Sequence, residues 1–366
     1  MPISCIHKPA SSSRSPQTRN PHFQQPTMPP HPKPKSLKAL EHYAYNLNTP
    51  CNCPTCSPNR PHCPYSQNHH SLRLVPSRNA KGATCYTPLR LHASGATSSC
   101  ALTQLVDTII PYMDRPYHHL NDEQLRGVER CILWLRRRKK DIMTPSAAPG
   151  ANGAGSWKPN GDGGYIPLST PYTTSAETVL PVPEAVYLWK CFNDIFFGGP
   201  IPNLHVEYVH MGDRQGDVKY DGQKLIMRLD TDTSGHRYDF GSYRLLNYLS
   251  VILHECVHAF LSWYACPGCD FDNRDLGGHA RAWQRVALKV EEVVPGLLGF
   301  PVNLARGWSL IEEWDGVWMP SRCDLVRWKL RMPFLERMWE EGDDGDVAEL
   351  LRRTAELRNW MPKSYR

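Results

Sequence analysis

The segment His254-Glu255-Cys256-Val257-His258 sits inside the apolar run Val251 to Leu261, and nothing else in the chain restricts its fold as strongly. On a helix, residues four apart share a face, so both imidazoles can aim a ring nitrogen at one point. Two histidines and a glutamate are costly to bury among Leu, Val, Ile and Phe unless they find partners, and a metal ion at that point would satisfy them. Glu255 follows the first histidine directly, where a carboxylate can take a proton from water activated by the ion. The stretch therefore predicts two zinc ligands, His254 and His258, with Glu255 as general base. An accidental match in a chain with 16 His is the competing reading.

A catalytic zinc takes three protein ligands and keeps one position open, so a third ligand is needed. The metzincin pattern, with a glycine and a third histidine at fixed short spacing, is excluded because Leu261 and Tyr264 occupy those places. His279 follows the turn Leu276-Gly277-Gly278. It opens a predicted helix over Ala280 to Val294, with Trp283, Val286, Ala287, Val290 and Val294 on one face. A helix folding back beside the first would bring His279 to the metal; an idle, exposed histidine at a helix start is the alternative.

Upstream, Pro183 and Glu184 begin a predicted helix through Val186, Tyr187, Trp189, Phe192, Ile195 and Phe196, stopped by Gly198-Gly199-Pro200. Three strands are expected at 204–209, 216–220 and 225–229, with Asp221-Gly222 as a hairpin signal, giving a small antiparallel sheet. The motif helix is expected from about Tyr243 to Ala265, where Cys266-Pro267-Gly268-Cys269 ends it. Fold class by this reading is α+β.

Four segments together carry a family resemblance: Phe192-Asn193-Asp194-Ile195-Phe196-Phe197-Gly198-Gly199, the strand Gly216 to Tyr220, the zinc motif through Phe260, and Gly278-His279-Ala280-Arg281-Ala282-Trp283. The combination resembles the SprT-like metalloprotease family, which includes the DNA-dependent Spartan proteases, over residues 183–295. The resemblance implies a zincin-like minimal protease domain, zinc on His254, His258 and His279, Glu255 as base, and Trp283 in the aromatic place four residues after the third ligand. It also implies protein substrates associated with or crosslinked to DNA. Family members often add a Cys-based zinc ribbon; here Cys323 is the only cysteine after His279, so no ribbon can be built. Cys266 and Cys269 resemble half of a zinc knuckle, or two free thiols on a loop.

The amino-terminal half differs in kind. Residues 1–180 hold 20 Lys and Arg against 9 Asp and Glu, whereas 181–366 hold 22 against 27, so the overall +6 averages a basic arm and a mildly acidic body. Pro-rich and Ser-rich text such as Pro29-Pro30-His31-Pro32 predicts a disordered arm over 1–100. Such an arm could neutralise nucleic-acid phosphates or simply be solvated. Its prolines argue against an amphipathic transit peptide. No run of about eighteen apolar residues and no signal-peptide pattern is found, so neither a membrane partner nor secretion is expected. The 13 Cys then read as thiols or metal ligands, with Cys51, Cys53, Cys56 and Cys63 either a small metal cluster or a Cys-rich tract.

Residues 101–145 are expected to hold two short amphipathic helices, the first interrupted at Pro111 and the second opened by Asn121-Asp122. Arg136-Arg137-Arg138-Lys139-Lys140 closes the second and reads as a helix-end charge cluster, a nuclear import signal or a phosphate patch. Residues 146–180 are a Gly-rich linker, 181–305 the protease domain, and 306–366 a helical extension whose tryptophans pack on a core. The leading expectation is a zinc endopeptidase, nuclear or cytoplasmic. A zinc-stabilised binding module without activity and a basic nucleic-acid-binding protein remain the alternatives.

Overall fold

In the computed structural model, residues 69, 71–89, 100–138, 158–159, 165–166, 180–198, 201, 204–211, 214–220, 224–231, 244–266, 278–312 and 320–329 are described. The first described element is a hairpin, β1 (Pro76–Arg78) against β2 (Thr84–Tyr86), within the stretch expected to be a disordered arm. Its composition could not predict order because the hairpin borrows a core from elsewhere. Asn79 Oδ1 accepts from the Lys81 and Ala83 amides, while Nδ2 donates to the carbonyls of His118 and Leu120. Cys51, Cys53, Cys56 and Cys63 lie outside the described residues.

Helix α1 (Leu102–Met113) runs through Pro111 rather than stopping there. The proline sits in the last turn and removes only one helical bond, so the break expected from the sequence does not occur. Helix α2 (Asp122–Arg137) opens as its sequence suggests: Asn121 Oδ1 accepts from the amides of Glu123 and Gln124, and Gln124 reciprocates to the Asn121 amide. Val106, Ile109 and Tyr112 of α1 and Val128, Cys131 and Leu135 of α2 are buried in the same core as residues 180–304. The segment expected as separate short helices is thus part of one continuous core with the segment that follows.

Past the small pair β3 (Lys158–Pro159) and β4 (Tyr165–Ile166), helix α3 (Val182–Phe192) has proline in its first turn and passes into a π-helical turn over Asn193–Phe197. Three strands follow, β5 (Leu204–Val209), β6 (Gly216–Tyr220) and β7 (Leu225–Asp230). Their positions agree with the sequence pattern, but the expected all-antiparallel sheet is corrected. The order is β5-β7-β6, with β6 antiparallel and β5 parallel to β7. Strand directions alternate along the chain, as a meander would, yet β7 inserts between the other two. Its Leu225, Met227, Leu229 and Asp230 are the most deeply buried residues of the sheet, and the central place gives them cover from both neighbours.

Helix α4 (Arg244–Tyr264) carries the motif, and Leu246, Leu249, Ile252, Leu253, Cys256, Val257, Phe260 and Leu261 on it are all fully buried. Leu245–Tyr264 is long and apolar enough to cross a membrane by length and composition, and most of it is buried inside the chain's own core. Helix α5 (Arg281–Leu298) continues past Pro295 and packs on α1 and α4. Two short helices, α6 (Arg306–Glu312) and α7 (Arg322–Trp328), close the described part; α7 lies on α5, with Trp328 buried. The fold is α+β: helices with small sheets. The remaining expected helices, with Trp339 and Trp360, fall outside the described residues.

Candidate metal centre

His254 and His258 project from one face of α4, one turn apart. Gly278 has φ 93°, a left-handed conformation that a side chain would strain, and this turn delivers His279 to the same point just before α5 begins. The three Nε2 atoms form a nearly equilateral triangle: 3.1 Å between His254 and His258, 2.9 Å between His258 and His279, and 2.8 Å between His279 and His254. Trp283, one turn into α5 and fully buried, lies against all three rings, with centroid separations of 4.7, 5.4 and 4.5 Å. It walls the cluster on one side.

The donor set fits a cation. His254 Nδ1 is 2.9 Å from the Leu304 carbonyl, which can only accept, so that nitrogen carries the proton and Nε2 keeps its lone pair. Burial, with the neighbouring His279 adding to it, pushes His254 down to about 3, despite the opposing bond to Leu304. Burial also holds His258 well below the usual imidazole value, with His279 and His254 contributing. Both rings are neutral at pH 7, as ligation requires. Three imidazole nitrogens converging within 3.1 Å of one another can be satisfied together by a metal ion.

Glu255 is almost completely buried, with Oε1 3.9 Å from His254 Nε2. Over it passes the start of β6. A Cβ placed on Gly216 would come within 3.1 Å of Glu255 Oε1, 2.8 Å of Val251 Cγ1 and 3.1 Å of the Arg228 carbonyl. The sheet edge and the carboxylate are therefore in direct apposition. Arg228 on β7 pairs with Asp217 on β6, fixing the two strands beside the site.

The structure brings together all four residues singled out from the sequence, His254, Glu255, His258 and His279. Sequence reasoning missed Gly216 as a close neighbour of Glu255, and it missed the Leu304 carbonyl. A glycine at a strand start was a weak signal for the first; no sequence signal marks a backbone carbonyl. Cys266 is buried, its amide donating to the Cys100 carbonyl, and Cys269 lies outside the described residues. All seven described cysteines are free thiols.

No family model, no curated protein and no solved structure matches this chain.

Proposed function

We propose that this chain is a zinc-dependent endopeptidase of the SprT-like type, with a zincin-like catalytic domain in which His254, His258 and His279 hold the metal. One observation carries the reading: three imidazole nitrogens converge within 3.1 Å, with a buried carboxylate on the next residue after the first of them. An all-nitrogen histidine set suits zinc among the available divalent ions, though copper, nickel and iron share the preference. When bound by three imidazoles, zinc polarises a carbonyl and lowers the pKa of water to about 7.

The chain's own residues supply the rest. Glu255 Oε1 accepts the proton of the attacking water and returns it to the departing amine. His254 is held to the Leu304 carbonyl, so its proton stays on Nδ1 throughout. Trp283 covers the rear of the cluster. An extended peptide adds to the outer edge of β6, with which no described strand pairs, and main-chain hydrogen bonds bring its scissile bond past Gly216 toward Glu255. Recognition through the main chain imposes little side-chain choice, which suits an enzyme acting on many proteins. Proteins bound to DNA are the substrate class the resemblance points to; the exposed Arg126, Arg136 and Arg137 of α2 offer a cationic face compatible with it, and with action in the nucleus.

The test is hydrolysis of casein and histone by the zinc-loaded full chain, with and without DNA, beside Glu255→Gln at equal zinc content. Cleavage by the wild type alone is expected. Equal cleavage by both proteins, or by neither, would overturn the proposal.

A further inference from the structure

Residues 303–306, the end of the connection from α5 and the first residue of α6, reach the metal centre through the Leu304 carbonyl. The peptide joining Leu304 and Ala305 is gripped at both ends. Its carbonyl accepts from His254 Nδ1 at 2.9 Å, and its N–H donates to Asn303 Oδ1 at 2.8 Å. Ala305 is held at φ 53°, a left-handed conformation unusual for alanine, and its carbonyl accepts from both the amide and the hydroxyl of Ser309. Such a conformation persists only where its surroundings over-determine it.

The loop is clipped both to α4, which carries His254 and His258, and to α5, which begins two residues after His279. On α4, Ser250 Oγ accepts from the Asn303 amide, one helical turn before His254. On α5, the Glu291 carboxylate divides its oxygens: Oε1 accepts from the Leu304 amide at 2.8 Å and Oε2 from Arg306 Nε at 2.6 Å. Arg306 continues to the Trp328 carbonyl, and its own carbonyl accepts from Gln284 Nε2, which also reaches the His279 carbonyl. Every one of these side chains is buried. A buried pair such as Glu291 with Arg306 is weak evidence for stability by itself. Here it ends on the amide of Leu304, the residue whose carbonyl holds His254.

We infer that the 303–306 loop is the orienting clip of the metal centre, with Asn303 and Glu291 as positioning residues that lock His254 in its Nδ1–H tautomer and thereby set metal affinity. The inference rests on the three-histidine metal reading and deepens it. Outer partners of ligating histidines fix the tautomer and ring direction, and losing one weakens metal binding by about 10- to 100-fold.

The experiment uses the full chain and two readouts that do not depend on hydrolysis. Zinc affinity is measured by chelator competition for wild type, Asn303→Ala, Glu291→Gln and the conservative Asn303→Asp. The tautomer of His254 is read in metal-free, 15N-histidine-labelled protein by long-range proton–nitrogen correlation. Expected are an Nδ1–H His254 in the wild type, a zinc affinity lower by about 10- to 100-fold in Asn303→Ala and Glu291→Gln, a mixed tautomer in both, and recovery in Asn303→Asp, which keeps the acceptor for Ala305. Should Glu291→Gln fail to fold because Arg306 is left uncompensated, Asn303→Ala decides; should both fail, the wild-type tautomer decides. A folded Asn303→Ala with wild-type affinity, or a wild-type His254 protonated on Nε2, overturns the clip. Absence of zinc binding by the wild type overturns the metal centre with it. Zinc bound tightly without peptide hydrolysis is a different signature, which removes the peptidase reading and leaves the clip supported by its own measurements.

Discussion

Arg281, two residues after the third histidine, makes two parallel hydrogen bonds to Asp324, 2.7 Å from Nε and 2.6 Å from Nη2, and both side chains are buried. Asp324 also closes the capping box of α7 by accepting from the Ser321 amide and hydroxyl. A segment beyond the expected protease domain is thereby locked to the start of the helix that follows His279. Removing the carboxylate leaves a buried guanidinium without its main counter-charge. Asp324→Ala is expected to lose about 3–5 kcal/mol in denaturant unfolding, and Asp324→Asn somewhat less because one acceptor remains.

Glu255→Gln changes a proton acceptor into a group of the same shape that cannot take a proton. Zinc content by elemental analysis is expected to match wild type, while kcat falls by about 100- to 10,000-fold. Loss of zinc together with activity would instead make Glu255 a structural support for the ligands.

Gly216→Ala inserts a methyl 2.8 Å from Val251 Cγ1 and 3.1 Å from Glu255 Oε1. Val251 is β-branched on a helix and the Arg228 carbonyl is backbone, so neither yields easily. The variant is expected to lose about 1–3 kcal/mol of stability and, if the carboxylate moves by an ångström, about 100-fold in kcat/KM. Zinc affinity measured by chelator competition should change little, since none of the three atoms nearest the methyl belongs to a ligating histidine.

Acid sensitivity of the metal-free protein follows from the two depressed histidines. His254 falls to about 3 and His258 lies well below 6.5, so below pH 6.5 the unfolded chain binds protons that the folded chain does not. Stability contributed by these groups is whole above pH 6.5 and is lost as pH falls toward 3, by at most about 1.4 kcal/mol per pH unit for each histidine. Denaturant midpoints of chelator-treated protein between pH 7 and 4 should decline accordingly. His258→Gln, which has nothing to titrate, should flatten the slope.

Much of the site was legible in the sequence. Spacing four apart on a helix determined that His254 and His258 share a face, and Gly277-Gly278 marked a turn able to swing His279 toward them. The first strand could be read from residue alternation and the last from its β-rich content, and α2 from its Asn121 cap. These features are local: φ, ψ and side-chain direction repeat within one element, so the order of residues is enough to specify them.

Only the tertiary structure decided the rest. Alternation says which face of β7 is buried but not that β7 lies between β5 and β6, so the parallel pairing had no trace in the sequence. Pro111 reads as a helix stop, yet packing of α1 on α5 carries the helix two residues further. Composition could not give residues 76–86 an ordered place, because Asn79 finds its acceptors some forty positions away. Nor could it assign Leu304, whose contribution to the three-histidine cluster is a carbonyl shared by every residue type. Residue identity fixed which side chains could ligate, while long-range packing chose the backbone atoms that aim them.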